Sequence, residues 1–140
     1  MKQILFVCHG NICRSPMAEF IFKHLVGEKY IVSSRSTSTE EIGNDMYPNA
    51  KEVLRKNNIT FTKHSAKQIT IDDYNNFDVI VCFDNYNLSN LRKMLPDTSK
   101  VIKLRSEEVA DPWYTRDFDK AYNDIYEGCL ELIEKLDKSN

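Results

Sequence analysis

No apolar run in the 140-residue sequence exceeds about five residues; the longest are Ile4 to Cys8 and Val79 to Phe83. A membrane-crossing helix needs roughly 20, so no membrane association is expected. There is no dominant charge: 19 basic side chains face 21 acidic ones, a net −2. That balance carries no electrostatic footprint for nucleic acid. Glycine and proline are scarce, at four each, and there is no internal repeat, low-complexity stretch or linker. A chain of this length without a linker is expected to form one domain over 1–140. The four cysteines, Cys8, Cys13, Cys82 and Cys129, do not have the spacing of a disulfide framework. The N-terminus has one Lys and a strand-length apolar run, too short for a signal peptide. A reducing, cytoplasmic setting is therefore expected, with cysteines as core fillers, metal ligands or nucleophiles. The composition leans towards a bacterial source of low G+C content.

Apolar residues make up 41% and charged residues 29%, ordinary globular usage. The charge is unevenly spread: residues 1–106 carry 15 basic and 11 acidic side chains, and 107–140 carry 4 and 10. An acidic C-terminal helix with a solvated face accounts for this.

Two kinds of segment alternate. Gln3 to Cys8, Tyr30 to Ser38, Phe77 to Phe83 and Val101 to Leu104 read as strands. Between and after them, helical spacing runs through Met17 to Leu25, Ala50 to Leu54, Asn85 to Leu95, and Phe118 to Leu136, with a short turn around Asp72 to Tyr74. Ser15-Pro16 predicts a hydroxyl cap followed by proline in the first turn, and Gly27 a helix stop. Thr60 to Ile69 and Arg105 to Arg116 read as loops. Apolar strands alternating with helices predict an α/β fold with a parallel sheet covered on both faces. In such sheets ligands bind beyond the carboxyl ends of strands, near a switch point.

The first strand ends at Cys8 and runs into His9-Gly10-Asn11-Ile12-Cys13-Arg14-Ser15-Pro16. A strand-to-helix loop ends at the positive pole of its helix. Gly10 and Asn11 are best able to adopt left-handed angles, which turn successive amides inward into an anion nest. Arg14 can present a planar fork to two oxygens. The loop suits a tetrahedral oxyanion such as phosphate. Dipole, amides and Arg14 all favour the Cys8 thiolate, a nucleophile aimed at phosphorus, and Ser15 could donate to it. A Walker A site is excluded, because no Gly-Lys-Ser/Thr is present. A zinc site at Cys8, His9 and Cys13 lacks a fourth ligand, so no metal and no cofactor is expected. A buried cysteine pair in a tight turn is the bland alternative. Cleaving an ester also needs a general acid. Asp111 offers one, with Pro112 to stiffen the loop and Trp113 and Tyr114 to wall an aromatic substrate; by itself Asp-Pro can equally be a plain turn.

Taken together, Cys8 to Pro16, Ile42-Gly43-Asn44, His64-Ser65-Ala66-Lys67-Gln68-Ile69, Phe77 through Asp84 with Asn87-Leu88, and Asp111-Pro112-Trp113-Tyr114 resemble the low-molecular-weight protein tyrosine phosphatase family over nearly the whole chain. The resemblance implies a flavodoxin-like three-layer fold with a four-stranded parallel sheet. It implies hydrolysis of phosphotyrosine, in proteins and in small aryl phosphates, through a phosphocysteine. Cys8 would be the nucleophile, Arg14 the phosphate ligand and Asp111 the acid, then the base. Asn11, Ser15 and His64 would hold the loop in shape, and Asp84 would support the site without reacting. Without the resemblance, His64 reads as a surface or capping residue. Cys13 matches a second loop cysteine, and a reversible bridge to Cys8 would guard against over-oxidation; the alternative is that it only packs. Cys82 and Cys129 read as core.

Two positions depart from the family. His9 stands where many members have an apolar residue. Glu40 stands where familiar eukaryotic members carry an aromatic that clamps the substrate ring, making one cleft wall acidic. Arsenate reductases of this fold need further cysteines near the third strand, and Cys82 has no neighbour. Arginine phosphatases of the family carry Thr where this chain has Ile12. A phosphate-binding module without activity would not need both Cys8 and Asp111. The expected partners are tyrosine-phosphorylated proteins, and the expected state is a monomer.

Overall fold

The computed structural model describes residues 2–138. Its strands are β1 (Gln3–Cys8), β2 (Ile31–Ser36), β3 (Val79–Cys82) and β4 (Val101–Lys103). The helices are α1 (Arg14–Val26), α2 (Pro48–Lys56), α3 (Ile71–Asn76), α4 (Asn85–Met94), α5 (Pro112–Thr115) and α6 (Phe118–Lys138). All strand pairs are parallel, in the order β2-β1-β3-β4. The register places Ile4 of β1 between Val32 of β2 and Val79 of β3. The chain leaves β1 for one side and later returns on the other, so the switch point lies at the carboxyl end of β1.

The pleat of β1 sorts its side chains onto two faces. Ile4, Phe6 and Cys8 join a core with Met17 and Ile21 of α1 and Ile125, Cys129 and Leu132 of α6. Leu5 and Val7 join the other core, with Ile80, Cys82, Phe77, Leu91 and Leu95. Helices thus cover both faces, the three-layer α/β arrangement that the alternating pattern predicts.

Local chemistry sets the ends of the elements. Gly27 takes a left-handed φ of 59° and its N–H donates to the Lys23 carbonyl, which closes α1. Thr70 and Asp73 exchange side-chain and backbone bonds in a capping box at the head of α3. Asp84 caps α4 by accepting the Asn87 N–H at 2.7 Å. Two expectations need correction. Ser15 does not cap α1: the helix begins at Arg14 after Cys13, with no side-chain cap, because the Ser15 hydroxyl is engaged inside the loop. Nor is the 105–116 segment wholly a loop. Asp111 accepts the Trp113 N–H at 3.0 Å and Pro112 takes the first helical position, so Asp-Pro starts the one-turn helix α5.

Candidate active site

Cys8 ends β1 and is 3% exposed. The Asn11 and Ser15 N–H groups donate to its sulfur at 3.3 and 3.4 Å. Its Sγ and the Ser15 Oγ are bonded at 3.1 Å; the hydroxyl is a rotor that can donate once the sulfur is anionic. Two backbone donors and one hydroxyl therefore converge on one sulfur.

The loop is held from outside. Asn11 is fully buried at φ 60°. Its amide donates to Ser15 Oγ at 2.7 Å, and its Oδ1 accepts the Lys67 N–H at 3.1 Å. Its carbonyl accepts from His64 Nε2 at 2.7 Å, which places the ring proton on that nitrogen. His64 is in turn held by its backbone N–H on Asp45 Oδ1 at 3.0 Å. Gly10 was expected to be left-handed as well; it is not, and Asn11 alone in the loop carries a positive φ.

Arg14 is 2% exposed. Its Nη1 donates to Asp84 Oδ2 at 2.7 Å and to the Val109 carbonyl at 2.8 Å. Its Nη2 makes only a 3.4 Å contact with Asp111 Oδ2. One edge of the fork is thus tethered and the other faces the cleft. Burial works against the guanidinium charge, but the Cys8 sulfur, Asp111 and Asp84 outweigh it and hold Arg14 above its ordinary value.

A cleft of about 220 Å³ opens above these groups, walled by Cys8, Ile12, Arg14, Glu40, Asp111 and Trp113. Tyr114 stands at its mouth, 77% exposed. His9 also lines the cleft and pairs through Nε2 with Glu40, its ring 5.9 Å from that of Tyr86. Glu41 also lines the cleft, making the wall doubly acidic. Cys13 is buried, and its thiol is pushed up by burial and then by Cys8. Burial also pushes Cys82 up to about 12, and both it and Cys129 lie in the core. Among the described residues, no three His, Cys, Asp or Glu side chains gather as a cation site, the Cys8, His9 and Cys13 set included.

The site residues singled out in the sequence thus meet at the switch point, from the β1–α1 loop, the head of α4, the head of α5 and the segments carrying Glu40 and His64. Sequence reasoning missed the Val109 carbonyl and Glu41. Only Glu41, next to Glu40, had a signal that could have found it.

The chain is similar to known proteins over nearly its whole length. The profile of the family described as low molecular weight phosphotyrosine protein phosphatase matches residues 3–140. The protein of that name from Gallus gallus is 36% identical, over 96% of this chain and 96% of its own length. The low molecular weight protein-tyrosine-phosphatase YfkJ of Bacillus subtilis is 35% identical, over 99% and 97%. The crystal structure of SP-PTP, the low molecular weight protein tyrosine phosphatase of Streptococcus pyogenes, superposes with a TM-score of 0.94 at 41% identity, covering 97% of this chain and 93% of that one. With likeness running through nearly every element, this chain belongs to the low molecular weight phosphotyrosine protein phosphatase family.

Proposed function

We propose that the chain hydrolyses phosphotyrosine in proteins in two steps, with Cys8 as nucleophile and Asp111 as proton carrier. The observation that carries the residue roles is the convergence of the Asn11, Ser15 and Arg14 donors around one sulfur and one open cleft. In the first step an Sγ–P bond forms as the ester P–O bond breaks. The departing oxygen keeps the electron pair and takes the Asp111 proton. Arg14 and the loop amides stabilise charge on the equatorial oxygens. In the second step water attacks phosphorus, Asp111 accepts its proton, and the electron pair returns to sulfur as phosphate leaves. Ser15 stabilises the departing thiolate. Asn11 and His64 keep the amides aimed, and Asp84 tethers Arg14. Trp113 and Tyr114 flank the phenyl ring, and Ile12 supplies bulk where a hydroxyl would serve a phosphoguanidinium.

Further proposals rest on the same reading. Cys13 serves as a reversible disulfide partner for Cys8. Residues 1–140 act as one domain, a monomer in the cytoplasm of a bacterium. In support, no described helix is long and apolar enough to cross a membrane.

Turnover of phosphotyrosine, phosphoarginine and phosphoserine peptides by the wild type, Cys8→Ser and Asp111→Asn tests the reading. The wild type should prefer phosphotyrosine and Cys8→Ser should be inactive. Asp111→Asn should bind substrate and lose roughly 10²–10⁴-fold in rate on poor leaving groups. Mass spectrometry of the quenched reaction should find phosphate on Cys8. Full activity in Cys8→Ser, or no adduct at that residue, overturns it.

A further inference from the structure

Asp111 must be fixed to serve as an acid, yet its surroundings are exposed. The helix α5 that it heads has four residues, and Trp113, Tyr114 and Arg116 all face solvent. The bonds of the Asp111 side chain are a local one from the Trp113 N–H and a 3.4 Å contact with Arg14. On its N-terminal side the segment is anchored at buried Val109, whose N–H donates to the Phe83 carbonyl at 3.0 Å and whose carbonyl accepts from Arg14 at 2.8 Å; the exposed α5 turn beyond Asp111 needs a second attachment.

Tyr47 and Arg116 make that connection. The Tyr47 N–H donates to the Ile12 carbonyl at 2.9 Å, joining it to the phosphate loop. Its ring meets the Trp113 ring edge-on at 5.0 Å and stacks on the buried Phe118 at 5.8 Å. Arg116 closes the assembly. Its Nη2 donates to the Tyr47 hydroxyl at 2.9 Å, and its Nη1 makes a longer bond to the Trp113 carbonyl at 3.3 Å. The guanidinium lies 5.2, 5.9 and 5.5 Å from the centres of Tyr47, Trp113 and Phe118. Arg116 sits at a left-handed φ of 61°, where Gly or Asn would be more at ease. An arginine there is explained by its side chain and not by its backbone.

We propose that Arg116 and Tyr47 are positioning residues: a cation–aromatic clamp that fixes the Asp111 segment to the phosphate loop and so sets where the leaving-group proton is delivered. The proposal rests on the phosphatase reading above. Neither residue reaches the reacting atoms. Both act through Trp113 and the α5 turn.

Leaving-group dependence reads this role directly. An ester with an acidic alcohol departs unaided, whereas phenolate needs the proton. Arg116→Asn removes the clamp while suiting the left-handed backbone, so the fold is retained. It should lower kcat/KM for phenyl phosphate roughly tenfold or more and leave 2,4-dinitrophenyl phosphate within about twofold. Tyr47→Phe, which keeps the ring and loses the hydroxyl, should show a smaller effect of the same kind. Arg116→Lys should recover part of the loss, because a cation returns over the rings. Thermal unfolding of each variant reports the fold separately. Equal losses on both esters, or no loss on either, overturn the clamp while leaving the phosphatase reading intact. A wild type that hydrolyses neither ester overturns both.

Discussion

Gly128 lies in the middle of α6, and replacing it with alanine sets two effects against each other. Helix propensity alone favours alanine by about 1 kcal/mol. The packing opposes it: a Cβ on Gly128 would lie 2.5 Å from Leu104 Cγ and 2.7 Å from its Cδ2. The clashing atom is the branch point of the side chain, not its free end. Leu104 is 1% exposed, and its backbone is pinned by its N–H to the Cys82 carbonyl at 2.8 Å, so the whole side chain must move. Overpacking of this kind costs roughly 1–3 kcal/mol, and more where the neighbour cannot move. We therefore expect a net destabilisation of about 1–2 kcal/mol. Unfolding entropy near 2.1 cal/mol/K per residue makes each kcal/mol worth roughly 3 °C for a chain of 140 residues, so the midpoint should fall by about 3–7 °C. Calorimetry or urea denaturation measures it. In a double-mutant cycle, Leu104→Ala should cost less in the Gly128→Ala background than in the wild type, because the clash has gone. A raised midpoint for Gly128→Ala would refute the packing argument.

Asp45 makes stability depend on pH. Its carboxyl is held down from 3.8 to about 2, first by the Lys51 ammonium and then by the His64 and Met46 N–H groups. A depressed carboxylate contributes stability that is complete above its unfolded value and is lost as pH falls towards the folded one. That shift converts to about 2.4 kcal/mol unscreened, and with 32% of the side chain exposed roughly 1 kcal/mol should survive. Asp45→Asn should thus be less stable than wild type at pH 6 and converge with it near pH 2; a constant gap in urea titrations would contradict this. Glu40 bears on selectivity. Glu40→Trp should raise kcat/KM for phenyl phosphate and weaken any preference for phosphopeptides with basic neighbours, by roughly two- to tenfold at low salt. An unchanged specificity constant for both substrates would show that the acidic wall is irrelevant.

The order of elements was legible because each strand is an apolar run and each long helix has an apolar stripe. The β1–α1 loop was legible as a candidate site because its residue types have few other uses in that order at a strand-to-helix junction. Finer features depended on competition between bonds. Ser15 looks like a cap, but in the fold its hydroxyl is taken by Cys8 and Asn11. Asp111-Pro112 reads as a turn until Trp113 and Tyr114 continue it into one helical turn. The contact between Tyr47 and Arg116 spans 69 positions and follows no period, so only the folded chain reveals it. The turn of His9 towards Glu40 is likewise a long-range pairing between two residues each notable only as a departure.

The 97 positions separating Arg14 from Asp111 have a consequence during synthesis. A ribosome releases the cysteine-bearing loop long before the carboxylate that complements it, and the sheet edge that carries that carboxylate comes later still than the central strand. Until His64, Lys67 and Asp84 have also emerged, the contacts that brace Asn11 and Arg14 cannot form. Arg14 and Asp111 come within 3.4 Å only when the β1–α1 loop and the head of α5 are both in place in the folded chain.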